Sequence, residues 1–96
     1  MFVLVCYDVN TESKLGRRRL RRVAKLCESY GQRAQNSVFE CTMDKALYLT
    51  FENKLINEID DKEDNLRFYF VNETDKEKTK SFGINKIIDL EAPLII

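Results

Sequence analysis

The 96-residue chain carries 16 Lys/Arg, 16 Asp/Glu and no histidine, and 44% of it is hydrophobic. That length holds one domain with a modest core, and the missing histidine excludes histidine-based acid–base catalysis and every His-containing zinc site. The neutral total hides an asymmetry: residues 1–45 hold nine cations and five acids, whereas residues 46–96 hold seven and eleven.

Phe2-Val3-Leu4-Val5-Cys6-Tyr7 is a continuous apolar run rich in β-formers, ending in Asp8-Val9-Asn10. It predicts a buried central strand that stops at a polar loop. No basic stretch precedes the apolar N-terminus, which argues against a signal peptide and for the cytoplasm. Residues 14–30 predict a helix, with Thr11 or Ser13 as N-cap and Gly31 as C-cap. At 100° per residue, Lys14, Arg17, Arg18, Arg21, Arg22 and Lys25 share one arc of about 140°. Leu20, Val23, Leu26, Cys27 and Tyr30 cluster opposite. Arg19 is the exception: it projects from the apolar side, near the helix start, where it reaches past the core edge.

Arg33 to Met43 predicts a tight β-hairpin or a sharply bent strand pair, broken near Asn36-Ser37. Asp44 then caps a second helix, Lys45 to Ile59, with Leu47, Tyr48, Phe51, Leu55 and Ile59 on its core-facing stripe. Asp60 to Asn65 is a polar loop, and Leu66 to Val71 a fourth strand. Residues 72–80 are charged and loop-like. The apolar tail, Ser81 to Ile96, predicts an extra short strand covered by a partner. The order β-α-β-β-α-β is that of an α+β, ferredoxin-like domain over residues 1–80, with residues 81–96 as an appended tail. Such a sheet has helices on one face only, so a two-fold homodimer is the expected way to cover the other. Cys6, Cys27 and Cys41 form no C-x-x-C pair and are expected to be reduced and buried.

Asp8 is the sharpest chemical candidate. As a structural residue it would serve the turn or cap the next helix. As a functional one it would bind a metal or act as a base. Without histidine, a metal site here must use carboxylates and backbone carbonyls, which favours Mg²⁺ or Mn²⁺. In a two-fold dimer, two copies of Asp8 facing one another would repel, and a divalent cation would relieve that. The basic helix face is either solvated surface or a phosphate-binding ridge. Arg guanidinium suits phosphate through bidentate contacts. No aromatic is interleaved there, which disfavours stacking on single strands. Tyr7, Arg33, Ser37 and Phe39 form a looser group with ordinary structural explanations: core for Phe39, a turn for Ser37, a helix-end cation for Arg33.

Taken together, Val5-Cys6-Tyr7-Asp8-Val9, the arginine-rich helix, and Tyr30-Gly31-Gln32-Arg33-Ala34-Gln35-Asn36-Ser37-Val38-Phe39-Glu40-Cys41 resemble the CRISPR-associated Cas2 family. Asp89-Leu90-Glu91-Ala92-Pro93-Leu94-Ile95-Ile96 resembles the tail of its type I-C members. The resemblance implies a cytoplasmic homodimer of prokaryotic antiviral adaptation, with the C-terminal strand packed on the partner subunit. It implies a Mg²⁺-dependent endonuclease, acting on double-stranded DNA or single-stranded RNA; the tail favours duplex DNA. It implies a partnership with Cas1 integrase dimers in spacer acquisition. The family's metal-binding aspartate corresponds to Asp8, and its other active-site positions to Tyr7, Arg33, Ser37 and Phe39. Lys14, Arg17, Arg18, Arg19, Arg21, Arg22 and Lys25 are then expected to contact nucleic acid. The competing expectation is a non-catalytic DNA-binding scaffold that bridges the integrase dimers.

Overall fold

A computed structural model describes residues 1–72, 74 and 78–83; most of the expected tail strand, residues 84–96, lies outside the described residues. Six elements appear in chain order: β1 (Phe2–Asp8), α1 (Lys14–Tyr30), β2 (Gln32–Gln35), β3 (Val38–Thr42), α2 (Lys45–Glu58) and β4 (Asn65–Val71). The four strands lie in the order β2-β3-β1-β4, and every neighbouring pair is antiparallel. This is the ferredoxin-like α+β arrangement that the order of elements predicts.

β1 occupies the middle. It pairs Val5 with Phe39 on one edge and with Phe68 on the other. Because strand side chains alternate, Val3, Val5 and Tyr7 share one face and are buried. They pack with Val23 and Cys27 of α1 and with Phe51 and Leu55 of α2. Leu4, Cys6 and Asp8 take the opposite face, half-buried at first and exposed at Asp8. The apolar run is therefore fully buried on one side only.

α1 has the predicted limits. Ser13 is its N-cap, the Oγ accepting from the Gly16 N–H at 2.9 Å. Leu20, Ala24, Leu26 and Tyr30 flank the buried Val23 and Cys27. Asp44 caps α2 in the same way, accepting from the Leu47 N–H at 2.7 Å. In α2 the buried stripe is Tyr48, Phe51 and Leu55, with Ile59 half-buried. Leu47 departs from expectation and is 44% exposed. On a helical wheel it falls at the edge of that stripe, well away from its centre. Aromatic contacts tie α2 to β4 and α1: Tyr48 meets Phe68 and Phe70 edge-on, and Phe51 stacks on Tyr30 at 4.6 Å.

β2 and β3 form the expected hairpin, turning at Asn36-Ser37, with an irregular register between Arg33 and Gln35. Gly31 ends α1, its N–H donating to the Cys27 carbonyl at 2.9 Å. Its φ of −158° is extended, not the left-handed cap that glycine often supplies. Space explains the glycine. A Cβ here would collide with Cys41 Sγ and come within 2.6 Å of the Glu40 carbonyl oxygen. That oxygen belongs to sheet backbone and cannot swing away. Gly31→Ala is therefore expected to destabilise the fold by about 1–3 kcal/mol, the usual cost of overpacking. Urea denaturation followed by circular dichroism measures it.

Candidate active site and basic helix face

Asp8 closes β1, paired with Asn65 at the start of β4. Its side chain is exposed. The structural duties open to it belong to others. Ser13 caps α1, Asn10 Oδ1 accepts from the Glu12 N–H at 2.9 Å, and the Asn10 N–H donates to Asp64 at 3.0 Å. Among the described residues, nothing hydrogen-bonds or ion-pairs with the Asp8 carboxylate. An exposed, uncommitted acid at a sheet end is available for chemistry.

Tyr7 points the other way, into the core. Its backbone N–H donates to the Ser37 carbonyl at 3.1 Å, and its hydroxyl donates to the Asn36 carbonyl at 3.3 Å. Both contacts fasten the β2–β3 turn to β1. Burial pushes its phenol up to about 12, so it stays neutral at physiological pH. Phe39 is fully buried and stacks on Tyr7 with ring centroids 6.1 Å apart. The Arg33 guanidinium lies over the Phe39 ring at 5.0 Å and donates to Glu28 Oε1 at 2.9 Å. The structure thus brings Tyr7, Arg33, Ser37 and Phe39 together and leaves Asp8 on the opposite side of the sheet. Within one protomer, Phe39 is a core residue and Arg33 is neutralised by Glu28. Neither shares a surface with Asp8, because adjacent strand residues face opposite ways.

Lys14, Arg17, Arg18, Arg21, Arg22 and Lys25 are all exposed along one side of α1, as the wheel predicts. Only light engagements restrain them among the described residues. Arg17 donates to the Thr11 carbonyl at 3.2 Å, and Arg22 pairs with Glu58 of α2 at 3.3 Å. Arg19 leaves this set. Its side chain is 17% exposed and holds Asp64 at 2.9 Å and Glu63 at 3.1 Å. An arginine on the apolar side of a helix needs an anionic partner to be buried, and the α2–β4 loop supplies two.

Asp64 is the residue that sequence reading passes over. Its side chain is wholly buried beside Arg19. Oδ1 accepts from Asn10 N–H and Arg19 Nη2; Oδ2 accepts from Asp60 N–H at 2.8 Å and Arg19 Nε at 2.9 Å. Gly16 lets the start of α1 sit against the β1–α1 loop, since a Cβ there would collide with the Asn10 carbonyl. Three segments distant in sequence meet on one carboxylate. Two buried thiols, by contrast, are held protonated: burial pushes Cys27 up to about 12 and Cys41 up to about 11.

An antiparallel sheet with two helices on one face, an uncommitted acid at the end of its central strand and a cationic outer face on α1 defines a small ferredoxin-like α+β module. The chain belongs to the CRISPR associated protein Cas2 family, whose model matches residues 1–79. It is 52% identical over 96 residues to the CRISPR-associated endoribonuclease Cas2 of Chlorobaculum tepidum, covering all of both chains. It resembles the crystal structure of Streptococcus pyogenes Cas2 at pH 6.5 with a TM-score of 0.77 and 49% identity, over 86% of this chain and 100% of that one. It also matches a chain of a partial Cas6-RT-Cas1–Cas2 complex with a TM-score of 0.67 and 27% identity, over 99% of this chain and 98% of that one.

Asp64 gives the site a pH signature. Burial pushes its carboxyl up, but Arg19 and the N–H groups of Asp60 and Asn10 outweigh that, and the group lies below its ordinary 3.8. A depressed carboxylate stabilises the fold fully above its unfolded value and loses that contribution as pH falls through the folded one. Asp64→Asn is expected to be less stable than the parent at pH 7, with the gap narrowing below about pH 4. Thermal melts across pH 2–7 test this; a gap that stays constant contradicts it.

Proposed function

We propose that the chain is a metal-dependent endonuclease of CRISPR spacer acquisition, acting as a homodimer on duplex DNA together with Cas1. The observation that carries the nuclease role is the exposed Asp8 carboxylate, free of structural work among the described residues, on the sheet face opposite α1 and α2. That face also presents Leu4, Cys6, Val38 and Val71, half-buried, and Tyr69, 46% exposed. A second copy of the chain would bury these residues and bring two Asp8 side chains together. One protomer does not close a metal site: among the described residues no group of three His, Cys, Asp or Glu is placed to hold an ion. Two Asp8 carboxylates with phosphate oxygens and water form an all-oxygen donor set that suits Mg²⁺ or Mn²⁺. Such an ion would activate water and stabilise charge on the scissile phosphate. The protein's own part is to hold the Asp8 side chain out at the exposed end of the central strand. Tyr7, Arg33 and Phe39 act behind the sheet, keeping β1 and the Ser37 turn in register.

Duplex DNA is favoured by the helix. Six exposed cations lie along α1, a rod about 25 Å long by helical rise. In a dimer the ridge is doubled, which suits the backbone of a double helix. Single-stranded RNA is the alternative substrate, as the name of the Chlorobaculum relative has it. Association with Cas1 follows from the likeness to a chain of a Cas1–Cas2 complex. The sequence of the tail, Asp89 to Ile96, supports placement with type I-C members. A cytoplasmic setting suits three free thiols, Cys6, Cys27 and Cys41.

The second role, a DNA-binding scaffold between Cas1 dimers without catalysis, draws on one observation. The residues of the suggested catalytic set lie on two sides of the sheet, and a single acid per protomer is a thin ligand set. Asp8→Asn separates the two roles. The nuclease role predicts a folded dimer by size exclusion and circular dichroism, with Mg²⁺-dependent cleavage reduced about 100-fold or more. Undiminished cleavage by the purified variant removes Asp8 from catalysis. Charge reversal at Arg17, Arg18, Arg21 and Arg22 is expected to weaken duplex binding and to flatten its dependence on salt, as measured by fluorescence anisotropy across NaCl concentrations. An unchanged salt slope would place the DNA elsewhere.

A further inference from the structure

The Arg19–Asp64 pair sits where it can govern Asp8, although neither residue touches it. Asp8 is followed two residues later by Asn10, whose N–H is held by Asp64 Oδ1 at 3.0 Å. Across the sheet, Asp8 is paired with Asn65, the residue next to Asp64. Both chain segments that flank Asp8 are therefore pinned by one buried carboxylate. The same carboxylate holds the Asp60 N–H at 2.8 Å, fixing the far side of the α2–β4 loop. Arg19 binds both oxygens of Asp64 and also Glu63, so α1 is fastened to this corner too.

We propose that Asp64 and Arg19 are a positioning pair that fixes the angle at which the end of β1 presents Asp8. The proposal rests on Asp8 being the catalytic acid. A carboxylate that accepts from four donors is hard to replace. An Asn side chain keeps one acceptor oxygen and turns an NH₂ toward either the Asn10 or the Asp60 N–H, so one of the two pins is lost. It also takes from Arg19 one of its two contacts at this position and leaves Glu63 as its anionic partner. The expected consequence is a β1–α1 loop that still exists but no longer has one conformation. Catalysis by a carboxylate needs placement to well under 1 Å. Nucleic-acid affinity, which rests on the exposed face of α1, does not pass through this corner.

The experiment uses the full-length dimer with Asp64→Asn, Arg19→Gln and Asp8→Asn. Amide hydrogen exchange at Asn10 and Asp60 is compared with that at Val5 in the central strand. Cleavage of a labelled duplex in Mg²⁺ gives kcat and KM separately. In Asp64→Asn, exchange at Asn10 or at Asp60, whichever N–H the amide releases, is expected to quicken about 100-fold while Val5 is unchanged, and kcat per folded dimer to fall about 10-fold with KM within twofold. Arg19→Gln is expected to lower kcat by about threefold with the same KM. If Arg19 were instead a phosphate contact, its loss would raise KM and reduce the salt slope by about one; that result overturns the proposal. Should Asp64→Asn fail to fold, the kcat and KM of Arg19→Gln decide the matter. An unchanged kcat in the folded variants, with Asp8→Asn inactive, overturns the positioning role alone. Full activity in Asp8→Asn removes Asp8 from catalysis, and so overturns both this role and the assignment of Asp8 on which it rests.

Discussion

Alternation along β1 is the constraint from which the rest of the molecule follows. Val3, Val5 and Tyr7 must face the two helices, because each is buried among Val23, Cys27, Phe51 and Leu55. Side chains of this size contribute about 1.5–3 kcal/mol each when fully buried. A slip of one residue would expose all three and bury Asp8. The register is therefore fixed by the core, and the core thereby sends Asp8 to the open face. The same rule separates Tyr7 from Asp8, although they are neighbours in the chain. One residue braces the hairpin turn from inside; the next is left for solvent or a ligand.

Arginine serves two different ends on one helix. The exposed set along α1 has no acid within the first turns of the helix to neutralise it. It remains a field of positive charge, lightly tethered by Arg22–Glu58 at 3.3 Å. Arg19 faces the core edge, where a charge without a partner would be costly. It binds Asp64 and Glu63, and the cost is offset by charge-assisted hydrogen bonds. The basic first half and acidic second half of the chain meet at this corner, so part of the charge asymmetry is structural. The remainder stands on the outer face of α1.

Much of the architecture was legible in the pattern of residues. The limits of α1, its Ser13 cap, the Asn36-Ser37 turn, the Asp44 cap and the position of the fourth strand all follow from local chemistry. So does the outer face of α1, because helical spacing alone places Lys14, Arg17, Arg18, Arg21, Arg22 and Lys25 together. Leu47 was misplaced because hydrophobic character does not tell the centre of a stripe from its edge. Gly31 caps α1 as expected, but its need for glycine comes from the space left by Cys41 and Glu40, a contact made across the fold. Asp64 carried no signal at all. It is one acid among several in a polar loop, and its partner Arg19 is 45 residues away.

What the sequence determined by itself is therefore everything carried by short-range periodicity and capping: six elements in ferredoxin-like order, a basic ridge, and an acid at the end of an apolar strand. Those depend on neighbours within a turn of helix or two residues of strand. Only the tertiary structure decided which of the charged groups are free and which are spent. It buried Arg19 against Asp64, set Arg33 on Phe39 and Glu28, and left Asp8 uncommitted. Pairing of charges depends on distance in space, and three-dimensional proximity between residues 8, 10, 19 and 64 is created by the sheet and the helix packed on it, not by any local run of residues.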